Sequence, residues 1–288
     1  MTGPRTTEHR LVEHVARIGE EHPPIDLGTV DFTVRNPRLL AKRYGHVLDY
    51  MARVELEVDR NVLELIAMLP DPPPVDRVFY QDVWAPQEIR HGQILDELQM
   101  RLGRDAATPD LDTVSAKIRL LGAVSHVDRI QDVTRMLYYL TGMATERSAV
   151  MAYNVLQKGV AELGENAVAE TIVSQIRRQE PGHYAFYKMS ALGLAEQLNG
   201  WQKFLVRHLR RISFAPVGAN NAEQKADFGD LLGALGIDDD LESFALQISR
   251  VERELFWAQK QGMRVPDYVL VAFREAVELA RARAALTG

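Results

Sequence analysis

The chain contains no cysteine. This excludes disulfides, thiolate zinc sites, cysteine-bound iron–sulfur clusters and a cysteine nucleophile. Any metal has to be held by histidine, aspartate and glutamate. Long hydrophobic runs are also missing: no stretch approaches the roughly 18 uncharged apolar residues of a membrane span. The stretch from Met1 to Pro24 is charged and broken by histidines and prolines, without the basic-then-apolar order of a signal peptide. A cytoplasmic protein with no membrane partner is the expectation. Positive charge is not in surplus, since 34 basic against 40 acidic side chains leave a net charge of -6. That balance argues against a nucleic-acid partner bound through phosphates. Gly103, Gly122 and Gly142 are isolated, so no glycine-rich phosphate loop is present. Serine, histidine and aspartate form no recognisable nucleophile motif.

What is present reads as helix. Alanine, leucine, glutamate, arginine and glutamine recur at helical spacing, and alternating β-branched runs are scarce. A short helix over about 6–20 leads into an extended arm with Pro23 and Pro24. A first long helix runs from about Pro37 to Leu69, where Pro70, Pro72, Pro73 and Pro74 stop it. A second spans about 75–102, with a bend at Pro86. A loop at 103–113 precedes a helical stretch from about Asp112 to Gln157, broken near Gly122. Gly159 to Glu165 reads as a connection and 166–192 as another helix. After Asn199 come a helix to about Ile212, a loop around Pro216 to Asn221 and two or three further helices. The expectation is an all-α chain in three parts: an arm and short helix over 1–36, a four-helix bundle over 37–198, and a helical extension over 199–288 packed on the bundle.

The informative pattern is a repeat of carboxylate and imidazole. Two histidines follow a glutamate by three residues, in Glu88-Ile89-Arg90-His91 and Glu180-Pro181-Gly182-His183. Positions i and i+3 share a helix face, so each pair can aim two ligands at one point. The motif alone is weak, but its surroundings repeat. Glu55 precedes Glu88 by 33 residues and Glu146 precedes Glu180 by 34, and a glutamine, Gln87 or Gln179, stands before each motif glutamate. Each half therefore reads as a helix with one Glu, a turn, then a helix with Glu-x-x-His. Two such hairpins make a four-helix bundle presenting four carboxylates and two imidazoles inward, a donor set that suits a pair of iron or manganese ions.

Helical phase selects these residues from a crowded acidic set. Glu55 falls within the apolar stripe of Val47, Leu48, Met51, Val54, Val58, Val62, Leu65 and Ile66. Glu57 falls on another face, beside Arg53, Arg60, Asn61 and Glu64, and is expected to be solvated. Glu146 lies in line with Met136, Tyr139, Met143, Val150 and Tyr153. Glu180 and His183 align with Val173, Ile176 and Tyr187, and Glu88 and His91 with Trp84, Leu95 and Leu98. Burying one unpaired carboxylate costs several kcal/mol or more. Arginine pairing or protonation can relieve any one of them. Four, with two histidines in register, are better relieved by metal.

Glu55, Glu88-x-x-His91, Glu146 and Glu180-x-x-His183 resemble the ligand pattern of the ferritin-like di-iron oxygenase superfamily, over roughly residues 40–192. That superfamily includes acyl-carrier-protein desaturases, bacterial monooxygenase hydroxylases and N-oxygenases. The resemblance implies two irons, or a manganese–iron pair, bound by the four glutamates, with Glu88 and Glu180 bridging and one histidine on each metal. It implies O2 as co-substrate, a small-molecule or carrier-bound substrate, and an external electron donor such as a ferredoxin or flavin reductase; a homodimer, not a cage, is the expected assembly. The alternative is a ferritin-like iron-storage or metal-binding protein without substrate oxidation. Gln87 and Gln179 stand where many members have Asp or Glu. Pro181-Gly182 is unusual inside a helix and implies a kink or π-bulge that bears on the aim of His183. Ile176 occupies the place of an extra N-oxygenase histidine.

The remaining residues carry weaker signals. Trp84, Tyr139, Tyr153, Tyr187 and Tyr50 are expected near the metal layer, the first four as lining of a substrate pocket. His46 and His126 read as structural, and His9, His14, His22 and His208 as exposed. Arg207, Arg210 and Arg211 read as a solvated helix face, with docking of an acidic partner as the sharper alternative.

Overall fold

The computed structural model describes residues 7–69, 71–111, 128–219 and 221–287, and among them every regular element is a helix. Helix α1 (Thr7–Glu21) leads into the arm. Asn36 then caps α2 (Pro37–Leu56), its side-chain oxygen accepting from the Leu39 N–H with Pro37 at the first turn; this is the arrangement that satisfies an orphan donor and presets φ. Next come α3 (Val58–Met68), α4 (Pro74–Val78), a π-helical turn (Phe79–Trp84) and α5 (Ala85–Arg101). The 35-residue α6 (Asp128–Glu162) follows, then a π-helical turn (Val168–Val173) and α7 (Ser174–Gln197). The C-terminal part holds α8 (Gly200–Ser213), α9 (Ala222–Ala234), α10 (Leu241–Ile248), α11 (Arg250–Glu252), a π-helical turn (Arg253–Trp257), α12 (Ala258–Gln261) and α13 (Asp267–Thr287).

Four helices, α2, α5, α6 and α7, meet around one centre. The main packing pairs are α2 with α5 and α6 with α7. Close approaches set their directions. Gly92 faces Leu56 and Gly45 faces Arg104, so α2 and α5 are antiparallel. Gly142 faces Tyr187 and Arg177 reaches Asn154, so α6 and α7 are antiparallel too. Tyr44 lies against Gly159, and Tyr153 against Glu55, which runs α6 antiparallel to α2.

Two apolar clusters fill this quartet, one at each end. Through α2 into α3 the first cluster ends at Ala52 and the second begins at Val58; from the π-helical turn into α5 the second ends at Trp84 and the first resumes at Ile94. Along α6 the change falls between Met143 and Ala152, and along α7 between Ile176 and Phe186. In each helix the gap holds the glutamates and histidines of the repeated pattern. A polar layer therefore divides the core. The C-terminal helices close the first cluster, with α9 packed on both α13 and α2.

Several sequence expectations need correction. The first long helix is two: α2 ends at Leu56 and α3 restarts at Val58, with Glu57 between them. Glu57 is buried, not solvated, because Arg53 and Arg60 each donate to one of its oxygens at 2.8 Å. The wheel places Glu57 beside these arginines, but it does not show the pairing with both or the Asp110 N–H that covers it. Gly159 to Glu162 continue α6, and the turn comes only at Leu163-Gly164. His14 is buried, donating from Nε2 to the Gly182 carbonyl. Tyr50 points away from the polar layer, its hydroxyl bonded to the Val217 carbonyl and its ring against Phe228. Arg210 is buried against Glu252, Thr141 and the Leu140 carbonyl, so only its neighbours remain on a free face. Gly122 and His126 lie outside the described residues.

Candidate metal centre

The structure brings together all six residues of the repeated pattern. Glu55, Glu88, His91 and Glu180 offer ligand atoms within 4.8 Å of one another, and so do Glu88, Glu146, Glu180 and His183. Glu88 and Glu180 belong to both groups, and all six are buried. Helix α5 supplies Glu88 and His91, α7 supplies Glu180 and His183, and α2 and α6 supply one glutamate each. His183 Nδ1 lies 2.8 Å from Glu88 Oε1 and 3.6 Å from Glu146 Oε2; His91 Nδ1 lies 3.3 Å from Glu180 Oε1 and 3.8 Å from Glu88 Oε2. Pro181 does not break α7, and His183 faces the cluster. Gly182 lets α1 approach, since a Cβ there would stand 3.1 Å from Ile18.

The hydrogen bonds divide the glutamates into two kinds. Tyr153 donates to Glu55 Oε1 at 2.6 Å and Trp84 Nε1 donates to Glu146 Oε1 at 3.2 Å. Each of these outer carboxylates keeps one oxygen turned inward. Glu88 Oε1, both oxygens of Glu180 and the Nδ1 atoms of both histidines have no hydrogen-bond partner. Close as His183 Nδ1 and Glu88 Oε1 are, they are not aligned as donor and acceptor. No lysine or arginine pairs with any of the four glutamates among the described residues.

The glutamines supply what the sequence left open. His91 Nε2 meets Gln179 Oε1 at 2.6 Å and His183 Nε2 meets Gln87 Oε1 at 2.5 Å, so each motif's glutamine holds the other motif's histidine. The amide orientation is determined by the far end. Gln87 Nε2 donates to the His22 carbonyl at 2.5 Å, and Gln179 Nε2 donates to the carbonyls of Pro23 at 2.8 Å and His22 at 3.2 Å. A backbone carbonyl only accepts, so the amide oxygens face the imidazoles and each Nε2 carries a proton. Nδ1 is then the nitrogen free for a cation, as in other metal-binding histidines whose second nitrogen is tied. The repetition of Gln87 and Gln179 was visible in the sequence. The crossed pairing and the role of the arm's carbonyls were not.

The electrostatics show the strain of this layer. Burial and the charge of Glu88 push the Glu55 carboxyl well above the usual range, and burial pushes Glu146 up to about 8. Burial opposes ionisation of Glu88 as well, but hydrogen bonding from Glu55 and the charge of His183 outweigh it and hold that carboxyl low. Burial likewise works against charge on His91, yet Glu180 and Glu88 raise it to about 9, and Glu88, Glu146 and Glu180 raise His183. Without a cation, protons collect where the carboxylates crowd.

The four aromatic residues expected to line a pocket have other places. Tyr153 and Trp84 are the donors just described. Tyr139 donates to Asp76 Oδ2 at 2.5 Å, and Tyr187 packs edge-on against Phe79. A cavity of about 220 Å³ is lined by Val62, Leu65, Leu69, Pro72, Arg77, Tyr80 and Gln81. Neither it nor a smaller cleft beside α8 is lined by those aromatics or by a residue of the cluster.

No protein-family model, curated protein or solved structure matches this chain.

Proposed function

We propose that the chain is a ferritin-like di-metal protein of the oxygenase type: an oxidoreductase that holds two iron ions, or manganese and iron, and oxidises a small or carrier-bound substrate with O2. One observation carries this reading: two buried donor groups share Glu88 and Glu180, and Glu88 Oε1 and both oxygens of Glu180 have no hydrogen-bond partner. The donor set fits. Carboxylate oxygen and imidazole nitrogen suit divalent iron and manganese, and two divalent cations balance four carboxylates without help from the neutral histidines.

Glu55 and His91 would hold one ion and Glu146 and His183 the other, with Glu88 and Glu180 common to both. A bound pair would supply redox chemistry toward O2, drawing on an external electron donor. The chain does the positioning. Tyr153 and Trp84 fix the outer carboxylates, Gln179 and Gln87 fix the tautomer and ring orientation of the histidines, and the apolar clusters on either side exclude water.

A second reading has its own support. Tyr80 and Trp84 stand between the 220 Å³ cavity and Glu146, with ring centroids 5.9 Å apart, so that cavity stops short of the cluster. A closed site favours a protein that holds or stores metal without oxidising a substrate.

Anaerobic loading followed by metal analysis tests both readings. Two equivalents per chain are expected. Glu88→Ala and Glu180→Ala should lose both, and Glu55→Ala or Glu146→Ala should lose one. Failure to bind iron or manganese overturns both readings. Two bound equivalents with no O2 consumption across acyl and aromatic substrates, supplied with reductant, would favour storage; an assembly of cage size on gel filtration would favour it further, whereas a dimer suits the oxygenase.

A further inference from the structure

Helix α8 buries one side and leaves an unusual surface on the other. Its fourteen residues, GWQKFLVRHLRRIS, include no acidic residue, in a chain of net charge -6. Gln202, Val206 and Arg210 face inward against α6 and the second apolar cluster. Outward, Trp201 is 43% exposed, Phe204 59% and Ile212 63%. These three fall on one arc with His208, whose ring stacks on Phe204 at 6.3 Å. Lys203, Arg207 and Arg211 line the flank of that arc, and none has an ion-pair partner among the described residues.

We propose that α8 seats the protein on an anionic phospholipid surface. A helix laid in a membrane interface combines inserted Trp, Phe and aliphatic side chains with Lys and Arg at headgroup level. Here both sets lie on the same exposed side. Apolar tips with cations beside them along one helix suit a planar partner that is apolar inside and anionic at its surface. The three free cations are complementary to acidic headgroups while the rest of the molecule, being acidic, is held off. No helix of the described residues is long and apolar enough to cross a membrane, but that has no bearing on a helix lying in the interface. The metal centre is not involved, so this proposal stands or falls apart from the proposed function.

Co-sedimentation with vesicles is the test, using phosphatidylcholine alone and phosphatidylcholine mixed equally with phosphatidylglycerol. The full chain should bind the mixed vesicles at low salt, release at high salt, and ignore the neutral ones. Trp201 fluorescence should shift to the blue on binding. Trp84 and Trp257 are buried, so the shift should vanish in Trp201→Phe. Arg207→Glu with Arg211→Glu should weaken binding at least ~10-fold, and Phe204→Ser with Ile212→Ser should weaken it at constant charge. All four positions lie outside the packed face, and circular dichroism checks that the fold survives. The proposal is overturned if anionic vesicles are not bound, if neutral ones bind equally, or if charge reversal has no effect. Salt-sensitive binding to polyglutamate but not to vesicles would also overturn it, and would assign the face to an acidic protein.

Discussion

Gln87 and Gln179 show how much rests on a side chain that touches no metal. Each amide joins an imidazole to the backbone of the arm, so replacing it leaves the imidazole's buried N–H without its partner and lets the ring turn. Gln87→Leu should keep its helix content by circular dichroism but bind iron or manganese ~10–100-fold more weakly, as outer hydrogen-bonding partners typically do. Unchanged affinity in a calorimetric titration would remove the positioning role. Asp76 offers a separate residue-level prediction. Burial pushes its carboxyl up to about 6, against the hydrogen bond from Tyr139 and the charge of Arg135. A raised folded value means the stabilising effect is complete below the ordinary carboxylate range and is lost as pH rises through 6. Asp76→Asn should abolish that loss, since its amide oxygen can still accept from Tyr139. The variant should gain up to about 3 kcal/mol near neutrality, with no gain below about pH 4. Urea melts across that range provide the measurement, and a gain independent of pH would contradict it. The six cluster residues were legible in the sequence because i,i+3 spacing and helical phase are local properties. Asp76 and the burial of His14 were not, because their partners, Tyr139 and Gly182, are far along the chain.

Helices meet closely where glycine permits. A Cβ on Gly229 of α9 would stand 2.1 Å from the Ala276 carbonyl oxygen of α13, against backbone that cannot step aside. Gly229→Ala should therefore cost about 1–3 kcal/mol in denaturant melts, the usual penalty of overpacking. Gly200, at the first turn of α8, meets nothing within 4 Å, and Gly200→Ala should be neutral or slightly stabilising. The two substitutions are chemically identical, so a similar effect from both would place the Gly229 cost elsewhere. Element boundaries were less legible than element type. The prolines announced the end of α3 and the start of α4, and Pro37 announced α2, because breakers and first-turn prolines act within a few residues. The break at Glu57 has no proline or glycine to announce it. It is held by Arg53, Arg60 and the Asp110 N–H, which donates to Glu57 at 3.3 Å. The π-helical turns at Phe79–Trp84 and Val168–Val173 were likewise silent in the sequence, although the first delivers Trp84 to Glu146.

Taken whole, the molecule is a helical core cut across by a polar layer. The two apolar clusters are complete on either side of it, so the helices should assemble without metal, and the layer is where the metal-free protein is weakest. A cation that binds only the folded chain adds stability by mass action, about 4 kcal/mol at a thousand-fold excess over its dissociation constant. Saturating iron or manganese under anaerobic conditions should raise the melting temperature by about 10 °C, and a chelator should reverse the rise with little loss of helix at room temperature. A melting temperature indifferent to both would mean that the layer is satisfied by protons alone. Composition and periodicity were enough to establish the all-helical class of the described residues, the exclusion of thiolate chemistry and the six glutamates and histidines of the cluster, since each depends on residue type and a 3.6-residue repeat. Which carboxylates are tied off by Tyr153 and Trp84, which glutamine holds which histidine, and that the arm closes the outer side of the layer came only with the fold. Those relations join residues some 60 to 160 positions apart, and only the packing of α2, α5, α6 and α7 brings them within hydrogen-bonding distance.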